Sequence, residues 1–133
     1  MTTRLRLVRA QRLLKVQEQM RSLAERDLAD ARAKAARIEA DRAALLTTLA
    51  GETMQGLFLD AASRRLRGLA SEATEIAATS TRLSEILRAR GLAEKRTARQ
   101  AESLAKLRTH EREQHALQEQ LDLMVARAGH APD

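Results

Sequence analysis

Apolar residues recur at steps of three and four along almost the entire chain. In the first half Leu13, Val16 and Met20 lead into Ala24, Leu28, Ala31, Ala35 and Ile38. Arg42 interrupts the stripe, which resumes at Leu45 and Leu49. A 3-4 alternation marks a helix that buries one seam against a partner helix, so a helix is predicted over 4–49, about 70 Å at 1.5 Å per residue. Steps of four from Val16 through Met20 and Ala24 to Leu28 predict a stutter that locally unwinds the supercoil. Alanine at 24, 31 and 35 allows a partner backbone to approach closely. In the second half Leu66, Leu69, Ala73, Ile76, Ser80, Leu83 and Leu87 keep heptad spacing, continued more weakly by Arg90, Glu94, Thr97, Ala101 and Leu104. A second helix is predicted over 57–128, with a disordered tail at 129–133.

The strongest interruption is the stretch 50–56, Ala-Gly-Glu-Thr-Met-Gln-Gly. Gly51 suits the left-handed position that closes a helix, and Thr53 is a candidate N-cap for the next. So short a connection implies an antiparallel hairpin. Facing residues should then have numbers summing to about 107, which sets Leu13 near Glu94 and Leu5 near Glu102. Beyond about residue 105 the second arm would have no companion. There 108–115 is polar in every phase, and apolar residues return at Leu117, Leu121, Met124 and Ala128 in a new phase. The expected fold is all-α: a long antiparallel two-helix coiled-coil hairpin, one domain over 1–133, with a C-terminal helical overhang. A rival reading turns again at Gly91 and gives a three-helix bundle.

Composition narrows the class. Phe58 is the sole aromatic residue and cysteine is absent, while the charged fraction is 32%. A chain without large rings is poorly supplied for a globular core, and Pro132, the one proline, lies beyond either helix. No apolar run is long enough to cross a membrane, and arginines at the N-terminus argue against a secretory signal. The net charge is +6. Most of it alternates in sign along the helices, but Arg4, Arg6, Arg9, Arg12 and Lys15 have no acid among them, a basic patch suited to an acidic partner.

Candidate chemistry is sparse. Glu111 and His115 share a helical face, but His110 and His115 are five residues apart and do not. Solvated residues on a polar helix account for them better than a metal site, and no cofactor is expected. No phosphate-cradling glycine loop or nucleophile elbow is present, and two helices offer no deep cleft, so an enzyme is not expected. Arg64, Arg65 and Arg67 form a second basic cluster. Interspersed acids and missing aromatics leave specific nucleic-acid binding as the weaker alternative. The N-terminal Arg/Leu run could also lie on an anionic membrane surface, although its apolar side is better used in finishing the seam.

Several local sequences carry a family resemblance. The chain opens on the basic, Leu-rich Leu5-Arg6-Leu7-Val8-Arg9, continues in an Ala-rich helix, and has a Gly-containing turn before Phe58. It then carries Leu104-Ala105-Lys106-Leu107-Arg108, Glu111-Arg112-Glu113-Gln114 and Gln118-Glu119-Gln120-Leu121-Asp122. In these features it resembles the FliJ family of flagellar type III export proteins, with injectisome stalk proteins as relatives. One departure is Leu123, where the family usually has glutamate after the Leu-Asp pair. The resemblance implies a stalk-like adaptor and chaperone, cytoplasmic and peripheral at the inner face of the cell membrane. One end would enter the export ATPase ring through Arg4, Arg6, Arg9, Arg12, Leu117, Leu121 and Met124. An export-gate membrane protein would be met near Phe58, Ala62 and Leu66, and substrate chaperones would be cycled. The alternative is a structural, self-associating coiled coil.

Overall fold

In the computed structural model the chain forms two helices, α1 (Thr3–Gly51) and α2 (Gly56–Gly129), packed against each other. The structure describes residues 2–51 and 56–129, without the side chain of Leu57. Most of the turn expected at 50–56, including Thr53, and the tail from His130 onward lie outside the described residues. Gly51 is the last residue of α1 and does not have a positive φ, so the left-handed closure expected there is not used. α2 runs through Gly68 and Gly91 without a break, which removes the three-helix reading.

The described residues divide into two compact units, Gln19–Leu92 and Met1–Glu18 with Ala93–Asp133. In the first, Ala24, Leu28, Ala31 and Ile38 of α1 and Ala62 and Leu69 of α2 are buried. Leu69 is the most enclosed large side chain, 1% exposed. Arg90 lies across from α1, its Nη1 reaching the Met20 sulfur at 3.9 Å. In the second unit Ala10, Ala101 and Leu104 form a buried cluster with Leu7 against it, and Thr97 is buried beside them in the sequence register.

The buried and half-buried positions of α1 correct the expected seam. Among them Thr3, Leu7, Ala10, Leu14, Gln17, Arg21, Ala24, Leu28, Ala31, Ala35 and Ile38 keep a 3-4 alternation, while Val8 lies half-buried beside it and the expected Met20, Leu45 and Leu49 are half-buried too. Leu13 and Val16, expected in the seam, are 47% and 49% exposed. The reason lies a turn earlier. Extending the Leu13 phase toward the N-terminus would place Arg9 and Arg6 in the interface, where an unpaired charge is costly. The neighbouring phase places Leu7 and Ala10 there instead. It accepts Gln17 in exchange, whose Oε1 is buried without a hydrogen-bond partner. In α2 the heptad expected from Leu66 onward holds. Its seam positions are buried or half-buried from Ala62 to Arg108, apart from the exposed Arg90.

The register is also displaced. The Thr3 hydroxyl donates to Glu111 Oε1 at 2.7 Å, whereas a sum of about 107 would set Thr3 near residue 104, about two turns earlier on α2. The seam therefore extends further along α2 than expected, and the overhang begins after Glu111.

Local devices finish the helices. Leu5 N–H donates to Thr2 Oγ1 at 3.3 Å and Arg6 N–H to the Thr2 carbonyl at 3.1 Å, so Thr2 caps α1. The first turn of α1 contains no acid, and Glu111 brings one to that electropositive end from α2. Exposed pairs such as Arg21–Glu25 at 2.7 Å add at most about 1 kcal/mol each.

The assignment of the seam makes two predictions for thermal or chemical denaturation. Leu69→Ala should cost about 2–5 kcal/mol, while Leu13→Ala, off the seam, should cost well under about 1 kcal/mol. Gln17→Leu should raise stability by about 1 kcal/mol, because it removes a buried, unpaired carbonyl. A loss on Gln17→Leu would show that the amide is satisfied.

Candidate partner interface

The basic start of α1 and the apolar end of α2 both belong to the second unit. Thr3–Glu111 and the Ala10–Ala101–Leu104 cluster fix the first turns of α1 alongside α2. After Arg108 every described residue of α2 is exposed. The overhang from Arg112 to Gly129 stays helical because it propagates from an existing helix, which avoids the cost of nucleation. It is rich in strong helix formers and carries side-chain pairs one turn apart. Gln118 Nε2 donates to Asp122 Oδ1 at 3.1 Å, and His115 Nδ1 lies 3.4 Å from Glu119. Arg127 sits in the last turn, where a cation complements the helix dipole.

The overhang is not a bare continuation of the seam. Projected beyond Arg108, the seam passes through Glu111, His115, Gln118 and Asp122, all polar, before it reaches Val125. Leu117, Leu121 and Met124 each fall one residue earlier, about 100° around the helix. An extension of α1 would therefore meet a polar edge, while the apolar stripe faces another way. Leu117, Leu121 and Met124 are about half to two-thirds exposed. Leu123 and Val125, which the sequence pattern did not single out, are 62% and 71% exposed and widen the apolar surface. Leu123 was missed because it falls off the 3-4 spacing, and Val125, four residues after Leu121, because the stripe was followed through Met124 instead. Exposed large apolar side chains gathered on one short helix mark an interaction surface more often than isolated ones do.

The arginines expected to act together do not form one patch. Arg4, Arg6, Arg9 and Arg12 are all exposed, but they wind around α1. Arg6 and Arg9 border a shallow depression with Ala10, Leu13 and Gln100. Arg12 borders a different one, with Val8, Gln11, Leu14, Lys15 and Glu18. The residues assigned to a second contact separate too. Phe58 is exposed, whereas Ala62 is buried and Leu66 half-buried in the seam, so of these only Phe58 presents an exposed side chain.

Among the described residues no group of three or more His, Cys, Asp or Glu side chains is placed to hold a metal ion. Glu111 is engaged by Thr3 and His115 by Glu119. None of the described helices is long and apolar enough to cross a membrane. No family model, curated protein or solved structure matches the sequence.

Because the overhang buries nothing against α1, a chain ending after Glu111 should melt at the same temperature as the full chain in calorimetry. A drop of several degrees would make residues 112–129 part of the fold's core.

Proposed function

We propose that the protein is a stalk-like adaptor of the flagellar type III export apparatus, acting by binding and not by covalent chemistry. It would engage the export ATPase ring with Arg4, Arg6, Arg9 and Arg12 at the start of α1 and Leu117, Leu121 and Met124 on the overhang. A second contact, to the export gate at the inner face of the membrane, would centre on Phe58, and substrate chaperones would be passed on from the adaptor. The observation that carries the reading is the juxtaposition in one unit of an exposed apolar helix end and an arginine-rich helix start. Leu104-Ala105-Lys106-Leu107-Arg108 and Leu121-Asp122, which resemble runs of the FliJ family, fall on this same unit. Burying each exposed Leu or Met would yield about 1.5–3 kcal/mol. A few such residues therefore suffice for a specific, reversible contact, with the arginines speeding encounter with an acidic surface.

A second reading has its own support. Leu117, Leu121, Met124 and Ala128 keep 3-4 spacing, which also suits pairing with another copy in a structural coiled coil. Sedimentation equilibrium at micromolar concentration separates the two, since an adaptor should stay monomeric and a structural coiled coil should not.

The adaptor reading predicts that the full chain captures the export ATPase from its native host. The triple variant Arg4→Glu/Arg6→Glu/Arg9→Glu should retain its helicity and lose that capture by at least tenfold. Equal capture by the folded variant would remove the arginines from the interface, and no capture by the native chain would remove the reading itself.

A further inference from the structure

The second unit has two unlike sides, and the difference points to the chemistry of a partner. In an antiparallel pair, equivalent flanking positions of the two helices lie on the same side of the seam. The residues one place before each seam position in α1 include Arg6, Arg9, Leu13 and Val16. Their counterparts in α2 include Arg96, Gln100 and Leu107. That these meet on one side is visible in the shallow depression shared by Arg6, Arg9, Leu13 and Gln100.

Following the same positions further along α2 leads through His110 and Gln114 to Leu117, Leu121 and Met124. The overhang stripe is thus the continuation of this side, set apart from Leu107 by the polar His110 and Gln114. Leu13, Val16 and Leu107 on it are each 40–50% exposed, and Arg6, Arg9 and Arg96 beside them are exposed. No Asp or Glu occupies any of these flanking positions in this unit. The opposite side is mixed. Glu18 stands beside Lys15 and Arg12 there, Glu102 pairs with Lys106 at 3.4 Å, and Glu119 lies within reach of His115.

We infer that this acid-free side is the docking site for an amphipathic helix of a partner protein, acidic along its edges. That helix would lie in the groove beside Leu13 and Leu107 and run out along Leu117, Leu121 and Met124. Three features select this occupant. The apolar positions keep the spacing of a helix-in-groove contact. The flanking charges are of one sign, which favours carboxylates and repels a basic helix. A second copy docked by the groove part of this face, with the two-fold axis beside Arg6 and Arg9, would set those arginines against each other. The inference deepens the adaptor reading by naming the chemistry of a partner, and it rests on the overhang being a docking segment.

The test uses the full chain and two labelled synthetic helices, each with a single leucine stripe and either glutamate or lysine at all other positions. Fluorescence anisotropy should show saturable binding of the glutamate helix and at least tenfold weaker binding of the lysine helix. Arg6→Glu/Arg9→Glu should weaken the glutamate helix at least tenfold. Arg4→Glu/Lys15→Glu, the same charge change off this side, should weaken it less than threefold. Equal losses from the two variants, equal binding of both helices, or a dimer whose apolar face is already occupied would each overturn the inference. Capture of the export ATPase is scored separately. Loss of glutamate-helix binding with capture intact overturns this inference alone, and selective binding without capture supports it while removing the export assignment.

Discussion

An arginine is costly between two helices that have no third layer to shield or pair it, and this constraint acts on the first turns of α1. Elsewhere the seam admits Arg21 and Arg108, both half-buried. Through the first turns of α1 two stripes compete, one residue apart. The more apolar begins at Leu13 and Val16, but it carries Arg6 and Arg9 with it. The other offers Leu7, Ala10 and Leu14, with Thr3 and Gln17 as its polar members before Arg21. The structure follows the second, which leaves Gln17 Oε1 and Arg108 Nε buried without hydrogen-bond partners but keeps Arg6 and Arg9 in solvent. The rejected stripe is left facing solvent beside its arginines. The fold and the candidate interface thus come from one choice.

Much of the architecture was legible in the sequence because helices announce themselves through period and punctuation. The continuous 3-4 spacing from Leu66 to Leu104 and the absence of internal proline gave the second helix and its seam directly. Glycines at 68 and 91 were weak interruptions, and nothing approaches the position a Cβ would take at either, so neither is needed for close packing. Two things were not legible. The phase of α1 before Ala24 depends on what each alternative buries several residues away, which a count of apolar positions does not weigh. The pairing register depends on contacts such as Thr3–Glu111, between residues with no apolar signal at all.

The exposure of the candidate residues was legible in the sequence, but their grouping in space was not. The return of apolar residues at Leu117, Leu121 and Met124 was plain, and they are exposed as expected. The arginines were read as one cluster because they are close in sequence. A helix spreads neighbours in sequence around its circumference, and so Arg6 and Arg9 part company with Arg12. Spatial grouping, not sequence proximity, gives the face on which Arg6, Arg9, Leu13 and Gln100 converge. The adaptor role remains a proposal supported by that face, by the uncovered overhang and by the local sequence resemblance.

The phase of the seam can be measured directly, since the chain contains no cysteine and introduced pairs report without background. Disulfide formation under mild oxidation should be compared for Ala10→Cys/Leu104→Cys and Leu13→Cys/Glu94→Cys. Fast, intramolecular cross-linking of the first pair and slow reaction of the second would establish that Leu13 and its neighbours are left for a partner. The reverse order would put the Leu13 stripe inside the hairpin and contradict the account at its base.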